Sequence, residues 1–204
     1  MRLTLLTSAI LGLSTTALAQ TNTSTHAPVV TDNEPYSVHH ATLLPKDNTT
    51  VYGTITITAR ASSPALHVDV VIGGIPEGEY LNYHIHAKPI PSDSESNDNC
   101  YRTAAHLDPY NRGQTPPCNI TAPWTCEVGD LSGKHGPAWA PPGGVFRASY
   151  DDFFLSNTPG SDAYFGDLSW VVHAPNSDRL SCGNFEYQYD ESDKVTGSRI
   201  TRDG

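Results

Sequence analysis

Basic residues are scarce in this sequence relative to acidic ones. Its 204 residues include 12 lysines and arginines against 22 aspartates and glutamates, which gives a formal net charge of -10. A chain of this charge is repelled by phosphate backbones and by anionic membrane surfaces. We therefore expect neither nucleic acid nor an anionic membrane surface as a partner.

Long apolar runs are also missing, apart from one stretch near the beginning. Residues 3–13 are mostly apolar, follow Arg2 and precede the small residues 17–19, as in a secretory signal peptide with its cleavage site. Polar residues interrupt this stretch, and it is too short to span a bilayer. We expect residues 1–20 to be a signal peptide and the protein to be secreted, either extracellular or in the cell wall. No apolar run follows Tyr189, so the sequence gives no signal for a lipid anchor or a membrane span.

Helical periodicity is absent as well, and the 16 glycines and 16 prolines favour turns throughout the chain. Residues 51–60 instead alternate between apolar and polar side chains, which predicts a half-buried strand. Further strands are predicted at residues 66–72, up to His86, at 145–155, at 166–173 and at 184–189. The pattern favours an all-β sandwich or barrel with long loops.

The length suits one domain, because about 185 residues remain after the signal peptide. Residues 21–44 are rich in Thr, Asn and Pro and are expected to form a flexible lead-in. Residues 45–190 would form the β domain, and residues 191–204 a polar C-terminal tail. The longest predicted loop, residues 89–144, contains three of the four cysteines, so we expect functional residues there.

Four cysteines in a secreted chain predict two disulfides, for which sequence alone allows three pairings. Sequons for N-glycosylation begin at Asn22, Asn48 and Asn119. Glycosylation would fit the secretory route and would place these segments at the surface.

Two histidines end one of the predicted strands. His84 and His86 would project from the same face, with their Cα atoms roughly 6 to 7 Å apart. Two imidazoles placed in this way can bind one metal ion. The same pattern also occurs on solvated strand faces, so the pair indicates a metal site only if further ligands occur elsewhere in the chain.

Candidates for such partners occur later in the sequence. His106 lies in the long loop, and His173 ends an apolar run. Glu127 and Asp130 flank a glycine, so both carboxylates can turn toward one point, and Arg179 closely precedes a cysteine. Each residue alone is as easily an ordinary surface residue, and only the combination indicates a site.

The motifs that contain these residues resemble, in order and spacing, those of the copper/zinc superoxide dismutases. They are Gly-x-x-Glu-Gly leading into His-x-His over residues 74–86, the loop residues Cys100 and His106, Gly-Asp-Leu at 129–131, Val-Val-His at 171–173 and Arg-Leu-x-Cys-Gly at 179–183. Each motif is short, but five in register are specific, and the resemblance covers roughly residues 45–190. It implies an eight-stranded Greek-key, immunoglobulin-like β-barrel or sandwich.

The chain departs from that family at its zinc site. Glu127 stands where the last zinc histidine is expected, no histidine lies between His106 and Glu127, and only Asp130 keeps its place. The long charged loop before Arg179 is also reduced to residues 174–178. Both departures resemble the copper-only superoxide dismutases that fungi secrete, which implies one copper ion per chain and no zinc.

The resemblance implies a role for each site residue. The copper ligands would be His84, His86, His106 and His173. The enzyme would convert superoxide to dioxygen and hydrogen peroxide by alternating between Cu(II) and Cu(I). His106 would be both a ligand and a proton donor, and Arg179 would attract the superoxide anion.

A carboxylate is expected to orient His106 in place of zinc. Asp130 is the first choice for this partner, and Glu127 would support the same network. The alternative is that both carboxylates are solvated loop charges. A weak zinc site formed by His106, Glu127 and Asp130 also stays open at this point.

The resemblance further pairs Cys100 with Cys182 and Cys118 with Cys126. In the chain-entropy treatment these bonds would stabilise the fold by about 4.5 and about 2.5 kcal/mol. Because the disulfides already make the loops rigid, we expect a monomer.

Two other functions were weighed against superoxide dismutation. The first is an inactive copper-binding or cell-surface module on the same fold, because a fold does not guarantee its chemistry. The intact set of four histidines together with Arg179 argues against it. The second is a zinc hydrolase, which three histidines could support; the fourth histidine and the missing zinc ligands count against that function.

Overall fold

In the computed structural model, which describes residues 26–93 and 99–188, the alternating sequence pattern becomes a set of paired strands. Strand β2 (Tyr52–Ala59) buries Ile55 and Ile57, while its threonines are partly exposed. The predicted signal peptide, the tail over residues 191–204 and the sequon at Asn22 lie outside the described residues.

Eight strands form two antiparallel sheets in the described part of the chain. The strands are β1 (Val38–Thr42), β2 (Tyr52–Ala59), β3 (Leu66–Gly73), β4 (Asn82–His86), β5 (Val145–Asp152), β6 (Ser169–His173), β7 (Arg179–Asn184) and β8 (Glu186–Gln188). The larger sheet has the order β5-β3-β2-β1-β8, and the smaller one has the order β4-β6-β7. The prediction of an eight-stranded, all-β fold is therefore confirmed.

The core lies between the inner faces of the two sheets. Apolar side chains of β2 and β3 pack there with Tyr83 and Ile85 of β4 and with Trp170 and Val172 of β6. Every residue of β6 is buried, as are the last four residues of β4, so both faces of the smaller sheet are covered. The outer covering comes from the loops between β4 and β5, and it creates the space for a site.

The flexible lead-in predicted over residues 21–44 is wrong for residues 38–42. Strand β1 pairs with β2 along its whole length and with β8 at its beginning. Upstream of it, Ala27 and Val30 are buried. The sequence did not predict this strand because its buried positions are His39 and Ala41 rather than large aliphatic residues.

The last strand, predicted at residues 184–189, is present as the shorter β8, and the strand β7 before it was not predicted. Strand β7 ends at Asn184 and β8 begins at Glu186. Between them the buried Phe185 donates its N–H to the carbonyl of Leu168 at 3.0 Å, which takes the chain from one sheet to the other. The predicted strand 145–155 likewise ends early, at Asp152, whose carboxylate accepts the N–H groups of the next turn.

The long loop contains short helical segments. Helix α1 (Leu131–His135) begins after Asp130, whose side chain accepts the N–H of Gly133 at 2.8 Å. Two 3-10 turns lie at Asn99–Thr103 and Pro123–Thr125. The sequons at Asn48 and Asn119 are exposed, and no helix among the described residues has the length and apolar character to cross a membrane.

A buried ion pair attaches α1 to the larger sheet. The Lys134 ammonium lies 2.5 Å from the Asp152 carboxylate, and both side chains are fully buried. Lys134 also donates to the carbonyl of Val128 at 2.8 Å, and His135 contacts the same carboxylate at 3.0 Å. Burial acts to raise the pKa of Asp152, but Lys134 and His135 outweigh it and hold that pKa below its ordinary value.

This ion pair predicts a large difference between two adjacent aspartates. Asp152→Asn leaves the buried Lys134 charge without its partner and should lower the free energy of unfolding by about 3 to 5 kcal/mol. Asp151→Asn, on the exposed face of the same strand, should cost less than about 1 kcal/mol. Urea denaturation at pH 7 compares the two variants.

The effect of Asp152→Asn should depend on pH in one direction. Because the folded state lowers the pKa of Asp152, its stabilisation is present at neutral pH and is lost as the pH falls below the unfolded carboxyl value of about 3.9. Equal losses for Asp151→Asn and Asp152→Asn at pH 7 would contradict the importance of the ion pair.

Candidate metal centre

Three of the predicted ligands lie on the outer face of the smaller sheet. His84 and His86 alternate with the core residues of β4, and His173 ends the neighbouring strand β6 on the same face. Antiparallel pairing of β4 with β6 places His84 opposite Val171 and Asn82 opposite His173. The strand period and the register therefore bring three imidazoles together without any contribution from loop geometry.

The fourth histidine is brought to the sheet by main-chain pairing. His106 forms an isolated antiparallel bridge with His86, and the next residue, Leu107, donates its N–H to the Ile85 carbonyl at 2.8 Å. Gly129 continues this arrangement, because its N–H donates to Leu107 and its carbonyl accepts from Ile85. A Cβ at Gly129 would lie 2.3 Å from the Ile85 carbonyl, so only glycine allows this close approach.

The four histidines form one cluster. Each offers one ring nitrogen, and these nitrogens lie within 4.8 Å of one another. Among the described residues this is the only group of three or more potential ligands that could hold one ion. Three of the histidines, His84, His106 and His173, line a cleft of about 620 Å³, which is also lined by Glu127, Asp130 and Arg179.

Outer hydrogen bonds fix the protons of two rings. His86 Nδ1 lies 3.0 Å from the Ala104 carbonyl, and His173 Nδ1 lies 3.2 Å from the Ser177 carbonyl. A carbonyl only accepts, so each Nδ1 carries the proton and each Nε2 has a lone pair. The two Nε2 atoms face each other at 3.1 Å.

His84 carries its proton on Nε2, not on Nδ1 as in His86 and His173. Its Nε2 lies 3.3 Å from the Asp130 carboxylate and 3.2 Å from the Ser132 hydroxyl, so Nε2 carries the proton. Its Nδ1 is buried and has no hydrogen-bond partner. A buried nitrogen with a free lone pair is costly unless something binds it.

The donor set therefore fits a copper ion. Two lone pairs that face each other at 3.1 Å repel unless a cation lies between them, and the free Nδ1 of His84 has the same requirement. Burial lowers the pKa of His86 to about 2 and that of His173 to about 3, with the neighbouring imidazoles contributing, so both rings are neutral over the ordinary pH range. Neutral imidazoles suit both oxidation states of copper.

Glu127, rather than Asp130, is the partner of His106. The buried Glu127 carboxylate accepts from His106 Nδ1 at 2.5 Å. The first-choice assignment of Asp130 to His106 is wrong, because Asp130 caps α1 and is held there beside His84. Glu127 and Asp130 each orient a different histidine, and neither is a solvated loop charge.

Arg179 lies at the edge of the cluster, at the beginning of β7. Its guanidinium donates to the carbonyls of Cys100 at 2.7 Å and Ala104 at 2.6 Å, and to the Thr103 hydroxyl at 3.0 Å. Three of its five N–H groups are satisfied in this way, so two remain for an anion in the cleft. The Ala104 carbonyl serves both Arg179 and His86, which ties the position of the guanidinium to that of a ligand.

Two disulfides hold the loops that carry these groups. Cys100 is bonded to Cys182 and Cys118 to Cys126, the pairs that the resemblance implied. The first joins the 3-10 turn Asn99–Thr103, whose Cys100 carbonyl accepts from Arg179, to strand β7. The second closes a short loop immediately before Glu127.

Some supporting residues were missed at the sequence level. Ser132, Ala104 and Gly129 each act through a main-chain group or a short side chain, and Ala104 holds a positive φ of 65°. The spacing of Glu127 and Asp130 around a glycine was the one available signal, because a glycine between two functional carboxylates suggests a close backbone approach.

Comparison with known proteins finds cell surface superoxide dismutases, of which some are named Cu-only and others Cu-Zn. No family model matches the chain. A cell surface Cu-only superoxide dismutase of Arthroderma benhamiae is 34% identical over an alignment of 204 positions, which covers 87% of this chain and 54% of that protein. The cell surface Cu-only superoxide dismutase 5 of Candida albicans is 36% identical over 163 residues, covering 78% of this chain and 64% of that protein. The chain thus spans less than two thirds of the length of either curated relative.

A solved structure agrees with the sequence comparisons. Candida albicans superoxide dismutase 5 with Cu(II) superposes with a TM-score of 0.64 at 32% identity, covering 76% of this chain and 94% of that one. The chain therefore belongs to the copper-only superoxide dismutases, the secreted fungal branch of the copper/zinc superoxide dismutase family.

Proposed function

We propose that this chain is a secreted, copper-dependent superoxide dismutase that works without zinc. The observation that carries the proposal is the arrangement of four imidazoles, each with one nitrogen directed inward and its other nitrogen held by a partner. Relatives named as cell surface enzymes support a location outside the cell or in its wall.

The chemistry divides between the metal and the protein. Bound copper supplies one-electron chemistry, because it alternates between Cu(II) and Cu(I). One superoxide ion is oxidised to dioxygen, and a second takes one electron and two protons to become hydrogen peroxide. His84, His86, His106 and His173 would hold the metal, His106 would deliver one of the two protons and solvent the other, and Arg179 would attract the anion.

His106 is the ligand that can also handle a proton. Glu127 fixes its Nδ1–H, so the ring presents Nε2 to the reacting face in one orientation. The ring lies in the open cleft, where it can pass a proton from Nε2 to the second superoxide. A carboxylate on the far side stabilises the protonated ring at the moment when it forms.

Arg179 compensates for an unfavourable overall charge. Removal of Arg2 with the signal peptide makes the formal net charge -11, which opposes an anionic substrate. The guanidinium is permanently charged and is held beside the cluster by three hydrogen bonds. A copper carrier without turnover has no need of this group, and this favours the enzyme over the inactive module.

We further propose that the active form is a monomer. All four histidines, both carboxylates and Arg179 come from the same chain, so the site does not require a second copy. The acidic charge also argues against nucleic acid as a partner.

The first test compares superoxide decay for the copper-loaded wild type and two variants. His106→Ala should lower the rate constant about a hundredfold, because it removes both a ligand and the proton donor. Glu127→Gln should lower it about tenfold, because the ring loses its charged partner but stays in place. Glu186→Gln on the exposed strand β8 is the matched control and should have no effect.

Copper binding without turnover would contradict the proposal. A wild-type protein that contains one copper per chain and still leaves superoxide at its spontaneous decay rate would be a binding module. Full activity in His106→Ala would show that His106 is needed neither as a ligand nor as a proton donor.

The second test addresses anion attraction by Arg179. Arg179→Gln should lower kcat/KM for superoxide about tenfold at low ionic strength, and the deficit should shrink as salt is added. Arg60→Gln makes the same charge change on an exposed arginine that pairs with Asp151, and it should behave like the wild type. Equal rates for Arg179→Gln and Arg60→Gln would show that Arg179 does not act on the substrate.

A further inference from the structure

A second arginine lines the same cleft. Arg112 lies in the loop that follows His106, and it lines the space together with Arg179. Its backbone is fixed by Asp108, whose carboxylate accepts the N–H of Arg112 at 3.0 Å and that of Gly113 at 2.8 Å. The position of this side chain is therefore set by a turn that begins two residues after a metal ligand.

The Arg112 guanidinium is bound entirely by backbone carbonyls. It donates to Gly113 at 2.7 Å and to Pro117 at 3.2 Å, and it makes further short contacts with the carbonyls of Thr125 and Pro116. These acceptors surround the loop that the Cys118–Cys126 bond closes. A planar guanidinium held by four acceptors is a fixed charge that need not be reordered when a ligand arrives.

Its charge is not cancelled by a carboxylate. Some other cations among the described residues have one: Arg60 pairs with Asp151, Arg102 with Asp93 and Lys134 with Asp152. The ion pairs found in the described part of the chain do not include Arg112 or Arg179. Arg147 on β5 also has no ion pair among the described residues, but it does not line the cleft, whereas Arg112 and Arg179 both do.

The lining of the cleft also contains negative charges, which the positive charges of Arg112 and Arg179 would offset. Glu127 and Asp130 line it as well, and each is committed to a histidine. Their two negative charges, in a chain of formal net charge -10, oppose the entry of an anion. Bound copper and Arg179 would offset this repulsion beside the histidines, and Arg112 would add a further positive charge to the lining of the cleft.

We propose that Arg112 is a second anion-guiding residue, which acts from the loop after His106 while Arg179 acts beside the metal ligands. The inference rests on the proposed function, because the anion concerned is superoxide. It assigns Arg112 a role through its charge, in addition to its contacts within the loop.

The test measures kcat/KM for superoxide against ionic strength in the copper-loaded protein. Arg112→Gln should lower kcat/KM about two- to threefold at low ionic strength, since one unit charge at roughly 10 Å in water changes the local anion concentration by about that factor. The difference should vanish near 1 M salt, where the screening length is about 3 Å. Arg112→Lys keeps the charge and should retain both the low-salt rate and the salt dependence.

Two further measurements separate charge from structure. Arg147→Gln makes the same change in net charge on the exposed face of β5, away from the cleft, and should leave kcat/KM unchanged. Azide binding to the Cu(II) protein, followed by absorption, reports on anions without turnover. Arg112→Gln should weaken azide binding about twofold, and Arg112→Lys should leave it unchanged.

Three results would overturn the inference. One is a loss of rate that is equal in Arg112→Lys and Arg112→Gln and independent of salt, which would mean that Arg112 only holds the loop. Another is an equal effect of Arg112→Gln and Arg147→Gln, which would reflect net charge alone. The third is azide affinity unchanged in Arg112→Gln. A wild type that does not turn over superoxide would instead refute the proposed function, and the azide titration would still test Arg112.

Discussion

The site depends on where four imidazole protons are placed. Carbonyls hold the protons of His86 and His173 on Nδ1, Glu127 does the same for His106, and Asp130 with Ser132 places the proton of His84 on Nε2. Each ring is then left with one lone pair directed at the others. Because these lone pairs repel one another in a buried space, the arrangement favours a cation that accepts nitrogen ligands.

The rest of the molecule keeps those outer partners in place. The smaller sheet supplies three histidines in register, and the connection between β4 and β5 supplies the fourth and the outer partners other than Ser177, which lies in the turn between β6 and β7. Helix α1 carries Ser132 and begins at Asp130, and the buried pair of Lys134 with Asp152 fixes it to the larger sheet. A buried ion pair is weak evidence for stability in general. Here it positions a helix end that contacts a ligand.

Glu127 and Asp130 each contact the outer nitrogen of a histidine of the cluster. Glu127 faces the far nitrogen of His106, and Asp130 faces the far nitrogen of His84. Among the described residues, the four histidines are the only group of three or more potential ligands that could hold one ion. A carboxylate can thus orient the ring from the side where a second metal would otherwise bind.

Sequence reasoning anticipated the parts of this structure that follow from short-range rules. Alternation predicted β2 and β3, and the period of a strand placed His84 and His86 on one face. It failed where long-range packing decides the outcome. Strand β1 was mistaken for a lead-in, because its pairing with β2 and β8 cannot be read from its polar residues.

The sequence also did not show which of the two carboxylates contacts which histidine. Glu127 and Asp130 are three residues apart, and only the close approach of Gly129 to β4 decides which of them meets His106. Arg112 gave no sequence signal at all, since its significance lies in having neutral acceptors and in lining the cleft. Such features depend on three-dimensional charge placement rather than on local pattern.

The central claim is that four histidines hold one copper ion while the two carboxylates take the place of zinc. The most direct measurement is the metal content of the secreted protein after exposure to copper and zinc together, combined with its rate of superoxide removal. One copper and no zinc per chain, with turnover, is the predicted result. Zinc bound at one ion per chain beside the copper, or copper bound without turnover, would contradict the account.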